Sequence, residues 1–228
     1  MKQAINKEKR PSKRQRKENP PSWLENENLA FVAAPSGQTI RTNVASTHDK
    51  ELFLDRLEKE IQPMFLKSDK NHDNDEDNKD SRISNTVSAL ARKRIVMGTN
   101  QCTRILERLL QKRKLIATQP NNTEQLSGVP SLIVLARDIY PPTILSHIPV
   151  MAEQIIGEEN VGVPVLMLPG PASQELGKIF GTKRVSVMLF LPAESSNTSS
   201  KDDNDVFQNV NNKITSFVAF VKKTLRLW

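Results

Sequence analysis

Within MGTNQCTRILE, a glycine and two short polar residues stand just before a run of helical periodicity, with an arginine one turn further in. These are Gly98, Thr99, Asn100 and Arg104, and apolar periodicity starts at Cys102. The first amides of a helix have no carbonyl to bond, and the helix dipole adds positive potential there, so such a mouth suits an anion. Asn100 carries the paired donor and acceptor that match a base edge, and Arg104 reaches a phosphate or a guanine. The same residue types also make an ordinary N-cap followed by an exposed arginine. Residue types alone leave both readings open.

Other candidate chemistry in the chain is thin. GPASQELGK holds six residues between its glycines and has no Ser or Thr after Lys178, and no GxGxxG follows a strand pattern, so nucleotide binding has no fingerprint. His147 lies in an apolar helical stretch with no second histidine near it, which reads as a packed or hydrogen-bonded side chain and leaves a metal without ligands. DKNHDNDEDNKD has oxygens spaced by two but lacks the turn glycine and the distal glutamate of a calcium loop. Asp138, at the end of SLIVLARD, is the one acid at the carboxyl end of a strand pattern, and alone it makes no mechanism. The expectation is a chain with no catalytic residues, no metal, no cofactor and no small-molecule substrate.

The elements that hold these residues can be read from periodicity. Cys102, Ile105, Leu106, Leu109 and Leu110 make an apolar stripe opposite Arg104, Glu107, Arg108, Gln111 and Lys112, which predicts an amphipathic helix opening at MGTNQ. SLIVLA (131–136), VPVLML (163–168) and RVSVMLFL (184–191) are continuous apolar runs of strand length. TILSHIPVMAEQII follows Pro141 and Pro142, and ASQELGKIF follows Pro171 and is closed by Gly181, the positions proline and glycine take at helix ends. Alternating strands and helices of this kind predict an α/β fold, a three-layer α/β/α sandwich.

Composition sets the rest. Among 228 residues, 37% are hydrophobic and the net charge is +7, which predicts one domain with solvated tails and a polyanionic partner, most simply nucleic acid, although a membrane surface satisfies the same electrostatics. One cysteine excludes an internal disulfide and points to a reducing compartment. No apolar run reaches the length of a membrane span, and the first thirty residues lack the apolar core of a signal peptide. Residues 1–47 read as a disordered basic arm, centred on KRPSKRQRK, with a short apolar docking segment at Trp23 to Val32. The arm reads as a nuclear-localisation signal or as a tether to an RNA backbone. Residues 48–67 predict a helix, 68–83 an acidic disordered linker, 84–192 the domain, 193–205 a second linker, and 206–228 an amphipathic C-terminal helix. That last helix packs either on the domain or on a partner subunit.

Taken in order, GTNQCTRILER, LIVLARDIYPPTILSHIPVMAEQ, VPVLMLP and LGKIFGTKRVSVMLF resemble the kink-turn RNA-binding family of archaeal and eukaryotic ribosomal and small nucleolar RNP proteins. The resemblance implies an α/β/α sandwich that grips a sharply bent RNA at the GTN helix mouth and at the loop before the last strand. It implies an RNA-reading set of Gly98, Thr99, Asn100, Gln101 and Arg104 with Lys183, Arg184 and Val185, and with Asp138 and Ile139 alongside. It implies a structured RNA with a kink-turn-like element and other RNP subunits as partners, and no membrane. Three departures stand out: Gln101 where the family usually has Glu, the lysine-poor entry RIVMG, and the insert PNNTEQLSG. The RIVMG entry and the insert, with the basic arm, make the chain most similar to the family member found in nuclear ribonuclease P and ribonuclease MRP, which implies a non-catalytic role in tRNA and pre-rRNA processing in the nucleus or nucleolus. A small nucleolar RNP or ribosomal protein is the alternative. A protein-protein adaptor with a decayed RNA face is the alternative of another class.

Overall fold

A strand with no polar alternation has to be covered on both faces, and the three apolar runs meet that requirement in one mixed sheet. The computed structural model describes residues 42–66, 78–118, 126–156, 163–193 and 201–225. The basic arm, the Trp23–Val32 segment, residues 68–77 and 194–200 of the two linkers and residues 120–125 of the PNNTEQLSG insert lie outside the described residues.

The five strands are β1 Thr42–Val44, β2 Ile95–Met97, β3 Leu132–Ala136, β4 Val165–Leu168 and β5 Val187–Phe190, in the order β1-β4-β3-β5-β2. At the centre, all five residues of β3 are buried. It runs parallel to β4 and antiparallel to β5. β1 adds parallel to β4 at one edge, and β2 adds antiparallel to β5 at the other.

Side chains alternate across a sheet, and here the two sets serve two helical layers. Leu132, Val134, Leu166, Met188 and Phe190 face a core filled by Phe53, Leu57 and Ile61 and by Ile214, Phe217 and Val221. These come from α1 (Thr47–Arg56), from the π-helical turn Leu57–Ile61 that leads into α2 (Gln62–Leu66), and from α7 (Lys201–Thr224). α3 (Asn78–Arg94) and α6 (Ala172–Ile179) contribute Ala91 and Leu176 to the same core. The alternate residues Ile133, Leu135, Val187 and Leu189 are as fully buried, under α4 (Thr99–Thr118) and α5 (Thr143–Ile156), which pack on one another. The result is the expected three-layer sandwich.

The boundaries differ from the expected ones. Residues 1–47 are not all arm, because Thr42–Val44 is an edge strand paired with Val165–Met167. α3 starts at Asn78, inside the stretch 68–83, and α7 starts at Lys201, inside 193–205. The polar residues from 78 and from 201 onward belong to helices whose apolar residues come later in sequence. The helix foreseen over 48–67 carries a π-helical turn, Leu57–Ile61, that ends two residues before Pro63. Proline has no amide to give the carbonyl four residues back, and its ring crowds that carbonyl.

α7 packs on the domain itself. Val210, Ile214, Phe217, Val218 and Val221 are buried, and Arg56 lies over the Phe220 ring at 3.7 Å. Buried Arg94 fastens the helix to the sheet: its Nε donates to Leu191 O at 2.7 Å and its Nη1 donates to Asn211 Oδ1. Burial pushes the Arg94 guanidinium below its ordinary pKa.

Candidate nucleic-acid interface

The mouth of α4 is built by the end of β2. Gly98 N donates to Val187 O at 2.9 Å, one step past the paired Met97 and Met188. The chain then turns at φ +98°, and Gly98 O accepts from Cys102 N at 3.0 Å. Gly98 is therefore the N-cap, and Thr99, Asn100 and Gln101 are the first three helical residues, whose amides have no carbonyl within the helix. A Cβ at Gly98 would meet nothing within 4 Å among the described residues. The glycine is needed here for its left-handed backbone, which leaves the space beside it open. Nor does Asn100 cap the helix. It is the second helical residue, two positions past the cap, and is exposed, as are Gln101 and Arg104.

The loop before β5 comes to the same end of the sheet. β5 is antiparallel to both β2 and β3, so its start lies beside the end of β2, where α4 opens, and beside the end of β3, where Asp138 and Ile139 follow. Lys183 and Arg184 are exposed there. Val185 is not available for contact through its side chain, which is 3% exposed and belongs to the core.

Two residues that sequence reading missed hold this loop. Ser173, on α6, is fully buried; it accepts from Val185 N through its carbonyl at 2.8 Å. Its own N and Oγ donate to Asp138 Oδ1 and Oδ2 at 3.0 and 2.5 Å. Asp138 is thus engaged at the start of α6 and ties the end of β3 to that helix. Gly177 lies directly under the loop: Thr182 N donates to Gly177 O at 2.8 Å, and a Cβ there would stand 2.8 to 2.9 Å from backbone atoms of Thr182, Lys183 and Arg184. Nothing in the local pattern ASQELGK marks these roles, since each depends on what the fold brings against the helix. Tyr140 and Ile144, 74% and 45% exposed, follow β3. Ile139 is half-buried.

Behind the mouth the first turn of the helix is anchored in the core. Cys102 is fully buried, with Sγ 3.6 Å from Val96 O, and burial pushes its thiol up to about 12 from 9.0. A thiol with its folded pKa raised contributes stability below the unfolded value that is lost as pH rises through the window from 9.0 towards about 12. Since the thiolate is the reactive form, a maleimide at pH 8 should label Cys102 only as fast as the chain opens, and at once in denaturant. Rapid labelling of the native chain would mean that the start of α4 frays. His147 Nε2 lies 2.9 Å from Thr103 Oγ1, a hydrogen bond joining α5 to α4. This matches the packing role read from the sequence.

Among the described residues, no cluster of three His, Cys, Asp or Glu stands where it could hold a metal. No described helix is long and apolar enough to cross a membrane. What the geometry offers is a cationic edge of an α/β/α sandwich, with free amides and exposed amide side chains between Arg104 on one side and Lys183 and Arg184 on the other.

No family model matches the chain. Over 92 residues it is 30% identical to the H/ACA ribonucleoprotein complex subunit NHP2 of Saccharomyces cerevisiae, covering 40% of this chain and 54% of that protein. The chain thus spans about half the length of the curated relative it matches. Among solved structures it is similar to the Giardia lamblia 15.5kD RNA binding protein, with a TM-score of 0.30 at 14% identity, covering 60% of this chain and 90% of that one.

Proposed function

We propose that the chain is a non-catalytic RNA-binding subunit of a nuclear, nucleolar ribonucleoprotein, which docks a bent RNA at the α4 mouth. The observation that carries this reading is the α4 mouth itself. Gly98 turns the backbone so that the first helical amides, Asn100 and Gln101 face outward together, with Arg104 one turn behind and Lys183 and Arg184 across from them. Asn100 reads a base edge, the cations bind backbone phosphates, and the Thr182–Arg184 backbone, set by Gly177 and Ser173, fixes the distance between the two halves. Gln101 offers guanine a neutral acceptor where a carboxylate would accept with charge assistance, so neighbouring subunits supply part of the hold.

The particle is ribonuclease P or MRP on the chain's own pattern of basic arm and RIVMG entry. The likeness to an H/ACA subunit favours a small nucleolar RNP as the second reading. Affinity purification of the full chain followed by sequencing of bound RNA decides between them. One abundant nuclear ribonuclease RNA supports the first and guide RNAs the second. Recovery of proteins alone would leave an adaptor.

The site is tested separately. Asn100→Ala should weaken binding to a kink-turn RNA by about 1 to 3 kcal/mol, with circular dichroism unchanged because Asn100 is exposed. Equal affinities of mutant and parent would remove the base-reading role.

A further inference from the structure

We infer that the RNA footprint continues from the mouth along the outer face of α4, where Arg104, Arg108 and Lys112 form a ridge for the backbone of the double-stranded stem flanking the bend. This inference rests on the reading of the mouth as an RNA site and says where the RNA goes next.

α4 is 20 residues long, yet the mouth uses only its first turn and a half. Residues four apart lie one above another on a helix, so Arg104, Arg108 and Lys112 rise in a row from the exposed Asn100 and Gln101. Steps of about 6 Å each carry the row about 18 Å beyond Asn100. All three are exposed, and none makes an ion pair with a described residue. A face that only solubilises a helix usually mixes both signs, and i, i+4 pairs of opposite charge support it. Here the row itself holds no acid; Glu107, three residues from Arg104 on the same polar face, is the only acid on the helix, so the face keeps an excess of positive charge. Three like charges within a screening length of their neighbours repel one another, a cost that a polyanion lying along them removes. The row is continuous with the mouth, which favours the same RNA over a separate acidic protein.

Lys114 provides the control, because it is exposed on the same helix but points well away from the row. The full chain would be titrated with three RNAs: a kink-turn with a flanking stem of about four base pairs, one with about twelve, and a plain duplex. Parent, Arg108→Gln/Lys112→Gln and Lys114→Gln would be compared at two salt concentrations. The parent should bind the long-stem RNA about tenfold more tightly than the short-stem one. The double variant should lose that gain, with a salt slope shallower by about 1.5 to 2 on the long stem, as two lost phosphate contacts require. Lys114→Gln should keep the gain. Equal losses for the two variants would reduce the ridge to general electrostatics, and a double variant that keeps the stem-length gain would assign the face to a protein or to solvent. If the parent shows no preference for bent over plain RNA, the mouth reading fails. The ridge then stands only if the double variant alone weakens the plain duplex.

Discussion

Phe217→Ala should lower the unfolding free energy by about 3 to 5 kcal/mol, the range for removing a buried aromatic side chain. The ring is completely buried and lies between two others, with centroids 5.5 Å from Phe53 and 5.5 Å from Phe190. It therefore joins α7 both to the first helix and to the sheet, and few neighbours could close the space it leaves. Against a total stability of about 5 to 15 kcal/mol for a domain, the loss is a large fraction, visible as a lower urea midpoint at unchanged slope. Ala219→Ser, on the exposed side of the same helix, should stay within about 0.5 kcal/mol. If Phe217→Ala cost less than about 1 kcal/mol, α7 would be an appendage and not part of the core.

The second large effect is expected at Gly177. A methyl group there meets three backbone atoms at 2.8 to 2.9 Å, and none of them is the movable end of a side chain. Overpacking costs about 1 to 3 kcal/mol, and Gly177→Ala should fall at the top of that range, because the only relief is to lift the Thr182–Arg184 backbone. That relief has a functional consequence: Lys183 and Arg184 move away from the α4 mouth, and RNA affinity should drop about tenfold even in the fraction that stays folded. A thermal melt together with gel-shift titration well below the melting point separates the two effects. Normal affinity at reduced stability would show that the loop contributes nothing to RNA binding.

Much of this architecture is written locally. LIVLA, VLML and VMLF are buried on both faces as interior strands are, and TILSHIPVMAEQII starts just after the two prolines that announce it. The helix mouth was legible for the same reason, since glycine followed by two short polar residues and a stripe is a local signal. β1 and β2 are three residues each, too short to show a period, and become strands only because β4 and β5 offer them free edges. Antiparallel β5 was likewise invisible to a reading of alternating strands and helices. Asp138 shows how a single residue can mislead: its place after a strand suggested a site. Its partner Ser173 is 35 residues away, and that bond makes it a brace. Val185 entered the RNA-reading set through the family resemblance, and its own side chain is buried in the core.

The seams of this fold join distant parts of the chain. Thr42 pairs with Val165, Ile95 with Phe190, and Arg94 reaches Asn211 across 117 residues. Closing such spans is slow, because the chain gives up loop entropy before any contact rewards it. During synthesis the part of the Phe190 face that α7 covers stays open until that helix has emerged, and until then the half-made chain exposes apolar surface prone to aggregation. A ribosome that stalls between Phe190 and Phe217 would hold out a nascent chain that chaperones must bind.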